Sequence, residues 1–195
     1  MDNAFSLDLN SRYTYADYLT WVDDKRCELV DGFIKMMSAP ITNHQRINFK
    51  LGVAFDKIIQ KNKGKCEVFI PPFDVRLPKN GETADNKIYT VVQPDLCIVC
   101  DPSKIDYRGC LGAPDFVAEI QSPSTAHYDL NEKLHLYEAA GVREYWVALP
   151  EVGVNIFILQ PDRKYNSDAI IYYKDQKAPI HIFDGVEIDL KEVFE

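Results

Sequence analysis

The residue types best suited to chemistry in this chain are carboxylates placed inside apolar, strand-like segments. Glu119 stands in the middle of PDFVAEI, a segment typical of a buried strand. Because side chains alternate between the two faces of a strand, Glu119 and Gln121 share one face. The opposite face is apolar and is predicted to pack on a helix; it holds Phe116, Ala118 and Ile120. A buried carboxylate costs free energy unless it is paired, hydrogen-bonded or bound to a metal, so we expect a partner for Glu119.

Three further carboxylates lie on predicted strands. Asp95 opens the apolar segment QPDLCIVC, Asp74 alternates with apolar residues in PFDVRL, and Glu28 begins a hairpin in CELVDG. If these strands are neighbours, the three carboxylates converge with Glu119, and like charges that close cannot all stay ionised without compensation. A divalent cation is the simplest compensation, and oxygen ligands favour Mg²⁺, with Mn²⁺ as a substitute. The pattern therefore predicts a metal site that contains Glu119.

Each carboxylate also has a structural alternative. Asp74 could form a surface pair with Arg76 on an edge strand, and Glu28 could lie on a solvated hairpin face. Asp95 could accept backbone hydrogen bonds at a turn. The structural alternative is weakest for Glu119, because its flanking residues are so apolar.

Lys133 lies on the helix predicted to follow the Glu119 strand. In HYDLNEKLHLYEAAG, the spacing places Asp129, Lys133 and Tyr137 on one helical stripe. A plain Asp–Lys helix pair would contribute only about 0.2–0.5 kcal/mol. The functional interpretation, which we favour for Lys133, directs its amine to the sheet edge near Glu119, where it could hold a water or neutralise charge on a phosphate. Tyr137 could orient that lysine or simply belong to the core.

Histidines and cysteines give weaker signals. His44, near the start of the longest predicted helix, is interpreted as a cap or surface residue rather than a ligand. Cys97 and Cys100 form a single CxxC pair, whose members would point to opposite faces of a strand and are predicted to be small core residues. All five cysteines are expected to be free thiols in a reducing, cytoplasmic setting.

Hydrophobic periodicity predicts an α/β (α+β) fold. The order helix, strand, strand, strand, helix, strand predicts a mixed sheet flanked by helices, with a parallel, right-handed crossover between PDFVAEI and REYWVAL. We expect one domain over 1–195, with a core at about 41–148, an N-terminal helix and hairpin in 1–40 and C-terminal strands in 149–195. The individual predictions are a helix over Thr14–Val22, a hairpin at Asp31-Gly32, a long helix in TNHQRINFKLGVAFDKIIQKNKG, a loop in DPSKIDYRGCLGA, a helix over about Ala126–Ala140, strands in VNIFILQ and AIIYY, and a final helical turn in LKEVF.

Composition limits the classes of function. The chain has 195 residues, 46% of them hydrophobic, and a net charge of −8, so it shows no overall basic surplus of the kind that sequence-independent nucleic-acid binders carry. No apolar run is long enough to span a membrane, and the first ten residues have no signal-peptide pattern. A local basic patch is one way to bind nucleic acid; Lys61, Lys63 and Lys65 are one candidate, although a solvated helix end is the simpler interpretation.

Several stretches together resemble a known family. QPDLCIV, FVAEIQSPST and DLNEKLHLYEAAGVREYWV are similar to the Uma-type family of proposed restriction endonucleases, within the PD-(D/E)xK nuclease superfamily. The resemblance implies a restriction-endonuclease-like fold with an αβββαβ core. It also implies that Asp95 is the first acid and Glu119 the acid of the (D/E)xK element. Gln121 stands where that element has its lysine, and Lys133 matches the place on the next helix to which the lysine has migrated.

The remaining site residues follow from the same resemblance. Glu28 corresponds to the acid of the family's ELVDG stretch, and Asp74 is a weaker match. The expected activity is Mg²⁺-dependent hydrolysis of DNA by a homodimer, with the ion held by Asp95, Glu119 and the backbone carbonyl of Ile120 or Gln121. The rival is a catalytically silent module of the same fold that binds DNA or protein, which the acidic charge and Gln121 favour. A nuclease acting on RNA or on branched or single-stranded DNA is a third hypothesis.

Overall fold

The computed structural model describes residues 7–21, 27–62, 64–122 and 128–195, without the side chains of residues 128–130. Within these ranges the strands form two six-stranded sheets and one two-stranded ribbon. The helices are α1 (Tyr15–Tyr18), α2 (Thr42–Asn62), a π-helix (Tyr128–Lys133) that continues into α3 (Leu134–Ala140), and α4 (Leu190–Phe194). The strands are β1 (Cys27–Val30), β2 (Phe33–Met36), β3 (Glu67–Phe69), β4 (Asp74–Arg76), β5 (Val91–Val92), β6 (Leu96–Val99), β7 (Ile105–Asp106), β8 (Gly109–Leu111), β9 (Phe116–Ile120), β10 (Glu144–Leu149), β11 (Gly153–Ile158), β12 (Ile170–Tyr173), β13 (Lys177–Pro179) and β14 (Glu187–Asp189).

The central sheet contains the predicted core. Its strand order is β12-β11-β10-β9-β6-β3, in which only the β9–β10 pair is parallel. The core elements occur along the chain in the order α2, β3, β6, β9, the π-helix with α3, and β10, with strands of the second sheet inserted between β3, β6 and β9. This is the predicted helix–three strands–helix–strand order. The mixed α+β fold class and the parallel crossover are confirmed, as are the C-terminal strands β11 and β12.

A second sheet was not predicted. Its order is β2-β1-β5-β4-β8-β7, and it divides the segment YTVVQPDLCIVC, because β5 belongs to this sheet and β6 to the central one. The segment predicted as a loop, DPSKIDYRGCLGA, contains the β7–β8 hairpin of the same sheet. Gly109 permits this pairing: its φ is +127°, and a Cβ there would lie 2.2 Å from the backbone oxygen of Asp74 on β4. The absence of a side chain at Gly109 therefore lets β8 approach β4 closely within the segment predicted as a loop.

The central sheet is covered on both faces. One face packs on α2, with Phe116 and Trp146 against Phe55 at ring-centroid distances of 4.7 and 5.8 Å. The other face packs on α3 and the second sheet, where Val117 shares a buried cluster with Tyr137. The predicted alternation of β9 is therefore confirmed, and the Glu119 side of that strand faces α3 and the second sheet.

The N-terminal elements follow their local signals. Thr14 caps α1 in a capping box with Asp17, although the helix ends at Tyr18 rather than at the predicted Val22, which lies outside the described residues. The predicted hairpin is present as β1 and β2, and both turn residues, Asp31 and Gly32, have positive φ (52° and 88°). This is the geometry of a two-residue type I′ turn.

The cysteines correct one expectation. Cys66 and Cys100 form a disulfide at the end of the antiparallel β3–β6 pair, so the prediction of five free thiols is wrong for these two residues. Cys27, Cys97 and Cys110 are buried thiols outside this disulfide, in agreement with the prediction of a core role for Cys97. No helix in the described ranges is long and apolar enough to cross a membrane.

Glu144, at the start of β10, is a fully buried carboxylate that sequence analysis did not single out. One of its oxygens accepts a hydrogen bond from the indole Nε1 of Trp146 at 2.7 Å, and the other accepts one from the backbone N–H of Ile182 at 2.9 Å. Burial raises the pKa of Glu144 to about 7, against the smaller lowering effect of these hydrogen bonds. The side chain therefore ties the segment between β13 and β14 to the central sheet in a pH-dependent way.

We expect Glu144 to weaken the fold as the pH rises. Since its pKa is raised from 4.5 to about 7 in the folded chain, the folded state binds more protons between these values, and the contribution of this group is lost as the pH passes through 7. The difference in unfolding free energy between wild type and Glu144→Gln should fall by on the order of 2–3 kcal/mol from pH 5 to pH 8. Urea unfolding at several pH values measures it, with the exposed Glu187→Gln as control. A wild-type-to-variant difference that is constant over this range would contradict the assignment.

Candidate active site

Glu119 has its partner in the helix that follows its strand. The carboxylate is only 3% exposed, and its Oε1 accepts hydrogen bonds from Lys133 Nζ at 2.8 Å and from the Tyr137 hydroxyl at 2.7 Å. A charged donor and a short hydroxyl bond are strong compensation for a buried carboxylate. Sequence analysis expected a metal in this role, whereas an ammonium and a hydroxyl fill it here.

The local helix geometry brings both donors to Glu119. Lys133 is the last residue of the π-helix Tyr128–Lys133, and Tyr137 lies four residues further on, in α3. Residues four apart share a helical face, and π-helical turns are frequently found at functional sites. The predicted stripe is confirmed for Lys133 and Tyr137, which are 4% and 0% exposed. The side chain of Asp129 and the predicted helix start at Ala126 lie outside the described residues.

Glu28 is the second carboxylate on Lys133. Its Oε1 accepts from Lys133 Nζ at 3.2 Å and from the backbone N–H of Gln93 at 2.9 Å. With 2% of its surface exposed, Glu28 is buried, so the alternative of a solvated hairpin face is wrong. The ammonium of Lys133 thus joins β1 of the second sheet to β9 of the central sheet.

Asp95 stands immediately before β6 and beside Glu119. Its Oδ2 accepts from the backbone N–H of Ile120 at 2.8 Å and lies 2.9 Å from His44 Nε2. Its own N–H points to Glu119 Oε2 at 3.4 Å. The Asp95 side chain is 16% exposed, so this is where the network reaches the surface. In the described ranges its second oxygen, Oδ1, makes no hydrogen bond.

His44 is a site residue that sequence analysis missed. Its interpretation as a cap or surface residue is wrong: it is buried (8% exposed), its Nε2 bonds to Asp95, and its Nδ1 is buried without a hydrogen-bond partner among the described residues. The signal was available, because His44 lies on the same α2 face as the core residues Leu51 and Phe55. Positions seven and eleven residues apart share a helical face. A histidine on the buried side of a helix therefore merited more weight than its place near the helix start suggested.

Asp74 lies further along the same network. Gln93 donates its side-chain N–H to Asp74 Oδ1 at 2.9 Å, and the Tyr15 hydroxyl donates to Asp74 Oδ2 at 3.3 Å. Burial raises the pKa of Asp74, and burial with the Asp74 charge raises the pKa of Tyr15 to about 12. Asp74 is not paired with Arg76, which bonds to Asp106 at 2.7 Å; β4 is also an interior strand, so the edge-strand alternative is wrong.

These contacts separate Asp74 and Glu28 from the other two predicted carboxylates, Asp95 and Glu119. No three His, Cys, Asp or Glu side chains of the described residues form a group that could hold a metal ion. The expected convergence of all four carboxylates on one metal site is therefore wrong. Gln93 donates hydrogen bonds to both Asp74 and Glu28, and the amine of Lys133 donates to Glu28. Among the four, Asp95 and Glu119 are the pair in direct contact, through the backbone N–H of Asp95 and Oε2 of Glu119. Their oxygen donors fit a hard cation that keeps most of its water ligands, as Mg²⁺ does.

Two further predicted residues flank this pair. Ile120 packs its side chain in the α2 core, while its backbone N–H donates to Asp95. Gln121 follows, half-buried, with its backbone N–H bonded to the Ala148 oxygen at 2.8 Å. Alternation along β9 directs its side chain to the face of Glu119.

The sequence and the fold are similar to those of known proteins. The sequence model of the Uma2 family, described as "Putative restriction endonuclease", matches residues 15–191. The chain therefore belongs to the Uma2 family, a family of nuclease type.

Two individual proteins are similar to the chain. The "Uncharacterized protein slr1290" of Synechocystis sp. (strain ATCC 27184 / PCC 6803 / Kazusa) is 27% identical over 142 residues, which are 72% of this chain and 70% of that protein. The crystal structure of a "putative nuclease belonging to DUF820" from Anabaena variabilis ATCC 29413 superposes with a TM-score of 0.69 at 18% identity, over 93% of this chain and 97% of that one. The second similarity shows the fold.

We expect the buried ammonium to be essential for stability. Lys133→Met leaves Glu28 and Glu119 without their cation and should destabilise the fold by about 3–5 kcal/mol. In a Glu119→Gln background the same change should cost at least about 1 kcal/mol less, because one buried charge is already gone. Urea unfolding measures all three variants. Lys35→Met, which breaks an exposed ion pair with Glu132, is the control and should cost about 1 kcal/mol at most; equal costs at the two lysines would contradict the prediction.

Proposed function

We propose that this chain is a metal-dependent endonuclease that hydrolyses phosphodiester bonds in DNA, with Mg²⁺ as its ion and Mn²⁺ as a substitute. The observation that carries the proposal is the amine of Lys133, 2.8 Å from Oε1 of Glu119, whose Oε2 lies 3.4 Å from the backbone N–H of Asp95. An acid–acid–lysine set on two neighbouring strands and the adjoining helix suits phosphoryl chemistry, which needs a positioned water and relief of negative charge. Family membership supports the nuclease class, and the oxygen donors support the hard cation.

The reaction adds one water across one P–O ester bond. The water oxygen bonds to phosphorus as one sugar oxygen leaves, and the proton lost by the water balances the proton gained by the leaving oxygen. Asp95 and Glu119, with the Ile120 carbonyl, would hold the ion, which when bound relieves phosphate charge and makes a coordinated water more acidic. Lys133, whose ammonium form its two neighbouring carboxylates favour, would position the attacking water by donating a hydrogen bond.

The remaining residues would hold this arrangement in place. Glu28 would keep the Lys133 amine from turning away, since it accepts a hydrogen bond from the same nitrogen. Tyr137 would orient Glu119 through its hydroxyl. Gln121, in the place of the motif lysine, would donate its side-chain N–H to a phosphate oxygen. A homodimer is proposed as the active form, because symmetric cleavage of a duplex matches twofold symmetry.

Activity on plasmid DNA tests the assignment. Asp95→Asn, Glu119→Gln and Lys133→Gln should each lower the rate of nicking or linearisation by at least about 10²-fold, because each removes an ion ligand or the water-positioning amine. Folded content should first be verified by circular dichroism, and cleavage measured with Mg²⁺, Mn²⁺ or EDTA. Glu132→Gln is the control, since Glu132 adjoins Lys133 in sequence but its side chain is 48% exposed.

Two results would overturn this proposal. Unchanged cleavage in all three variants would remove the catalytic assignment, and cleavage in EDTA would remove the metal. DNA or protein binding without cleavage in either metal would favour the catalytically silent module. Parallel assays on RNA, single-stranded DNA and branched DNA separate the substrate classes.

We further propose that His44 positions Asp95. Its Nε2 and the Ile120 N–H converge on one carboxylate oxygen, so removing the imidazole should free Asp95 to rotate. His44→Ala should lower kcat by about 10–100-fold with little change in KM for DNA. His44→Gln, which keeps an N–H donor, should recover most of that loss. Equal losses in both variants would instead indicate that His44 only fills space.

A further inference from the structure

We propose that the solvent-facing side of α2 binds the phosphate backbone of the DNA substrate. This inference rests on the proposed function and adds the docking surface to it. The surface is a basic stripe, defined here as Arg46, Lys50, Lys57 and Lys61. Arg46, Lys57 and Lys61 are exposed, and Lys50 is half-buried.

The spacing of the basic stripe follows the helix repeat. Its members lie four, eleven and fifteen residues after Arg46, so they share one face of α2. That face is opposite to the one that packs Leu51 and Phe55 on the central sheet. The stripe is about 22 Å long at 1.5 Å per residue, comparable to about six nucleotides of one DNA strand.

The basic stripe is also an electrostatic exception. With four basic residues and only Asp56 as an acid, α2 carries a charge of +3. The rest of the chain carries −11, which together with α2 gives the net charge of −8. In the described ranges none of the four cations forms an ion pair, although basic residues elsewhere do, such as Arg76, Arg108 and Lys164. A polyanion is therefore attracted to this face and repelled by most of the remaining surface.

The position of α2 connects the basic stripe to the proposed active site. His44, in the first turn of α2, lies 2.9 Å from Asp95, and Arg46 follows two residues later at the same end. The other three members lie progressively further from Asp95 along the helix. A DNA strand with its scissile phosphate at Asp95 could therefore continue along the stripe.

Apolar side chains flank the basic stripe. Phe49 is 68% exposed and Val53 36% exposed, on the same solvent-facing side of α2. Exposed aromatic rings beside basic residues are a common combination in nucleic-acid-binding surfaces, because they contact sugars or bases while the cations contact phosphates. Phe49 thus gives the surface a contact that does not depend on salt.

A charge-matched pair of variants tests the proposal. The stripe variant replaces Arg46, Lys50, Lys57 and Lys61 by Gln; the control replaces four exposed lysines outside α2, Lys87, Lys174, Lys177 and Lys191, by Gln. Fluorescence anisotropy with a labelled DNA duplex in EDTA measures Kd over a range of salt concentrations, so that binding is observed without cleavage. The stripe variant should raise Kd at least about tenfold and reduce the slope of log Kd against log salt by about 3–4, while the control changes neither by as much.

A third variant separates charge from contact. Phe49→Ala should weaken binding without changing the salt slope, because it removes no counterion-releasing cation. The proposal is overturned if wild type does not bind the duplex, if the stripe variant binds as wild type does, or if both charge variants lose affinity equally. It is also overturned if the stripe variant keeps its DNA affinity but changes from dimer to monomer in sedimentation, since the face would then bind a second copy. Plasmid cleavage by Asp95→Asn tests the proposed function independently of all these outcomes.

Discussion

The buried ammonium of Lys133 is the constraint on which the rest of the site depends. It donates to Glu119 on β9 at 2.8 Å and to Glu28 on β1 at 3.2 Å, and these strands belong to different sheets. Charges at this depth have lost their water, so breaking such a pair leaves an uncompensated ion and costs several kcal/mol. The two sheets cannot shift relative to each other without that cost, and the helix that carries Lys133 is held at the same point. One side chain therefore sets the relative position of three elements.

Glu119 and Asp95, the two carboxylates of the candidate site, are held in place by hydrogen bonds from the surrounding fold. Glu119 Oε1 accepts both Lys133 and Tyr137, while Oε2 lies 3.4 Å from the N–H of Asp95. In Asp95, Oδ2 accepts from Ile120 and lies against His44. Donors from the fold thus hold both carboxylates, and this lets two like charges stand side by side at the end of two antiparallel strands. Glu119 is buried and Asp95 is half-buried, so Asp95 is the member of the pair that solvent reaches.

The sequence predicts those parts of the site that depend on local periodicity. Alternation along β9 places Glu119 opposite the α2 core, and helical spacing places Lys133 and Tyr137 together; both are found. Parts that depend on which strands become neighbours are not predictable in this way. The second sheet separates Asp74 from the acid pair and inserts Gln93 between Asp74 and Glu28, because pairing between sheets is set by tertiary packing rather than by any local pattern.

Three features of the fold depend on the position of a residue in the structure more than on its type. The cysteines before β3 and after β6 lie opposite each other only once that strand pair is known, and then Cys66 and Cys100 can bond. His44 lies near a helix start, where caps and surface residues are common, yet the helical period of α2 already places it on the core-facing stripe. The segment predicted as a loop contains the β7–β8 hairpin. Gly109, which is typical of turns, is here the first residue of β8 and permits its close approach to β4.

The two buried carboxylates of the central sheet show what Lys133 adds. Glu144 on β10 is as deeply buried as Glu119, yet its donors are an indole N–H and backbone N–H groups, and burial raises the pKa of Glu144 to about 7. This sheet can therefore accommodate a buried carboxyl group whose direct hydrogen-bond donors are all neutral, so burial alone does not explain why Glu119 has a charged donor. An ammonium differs from a neutral donor in that it favours the ionised carboxylate. Lys133 is thus the charged donor that distinguishes Glu119 from Glu144, and the proposed binding of a hard cation at Glu119 and Asp95 would use the ionised carboxylate that such a donor favours.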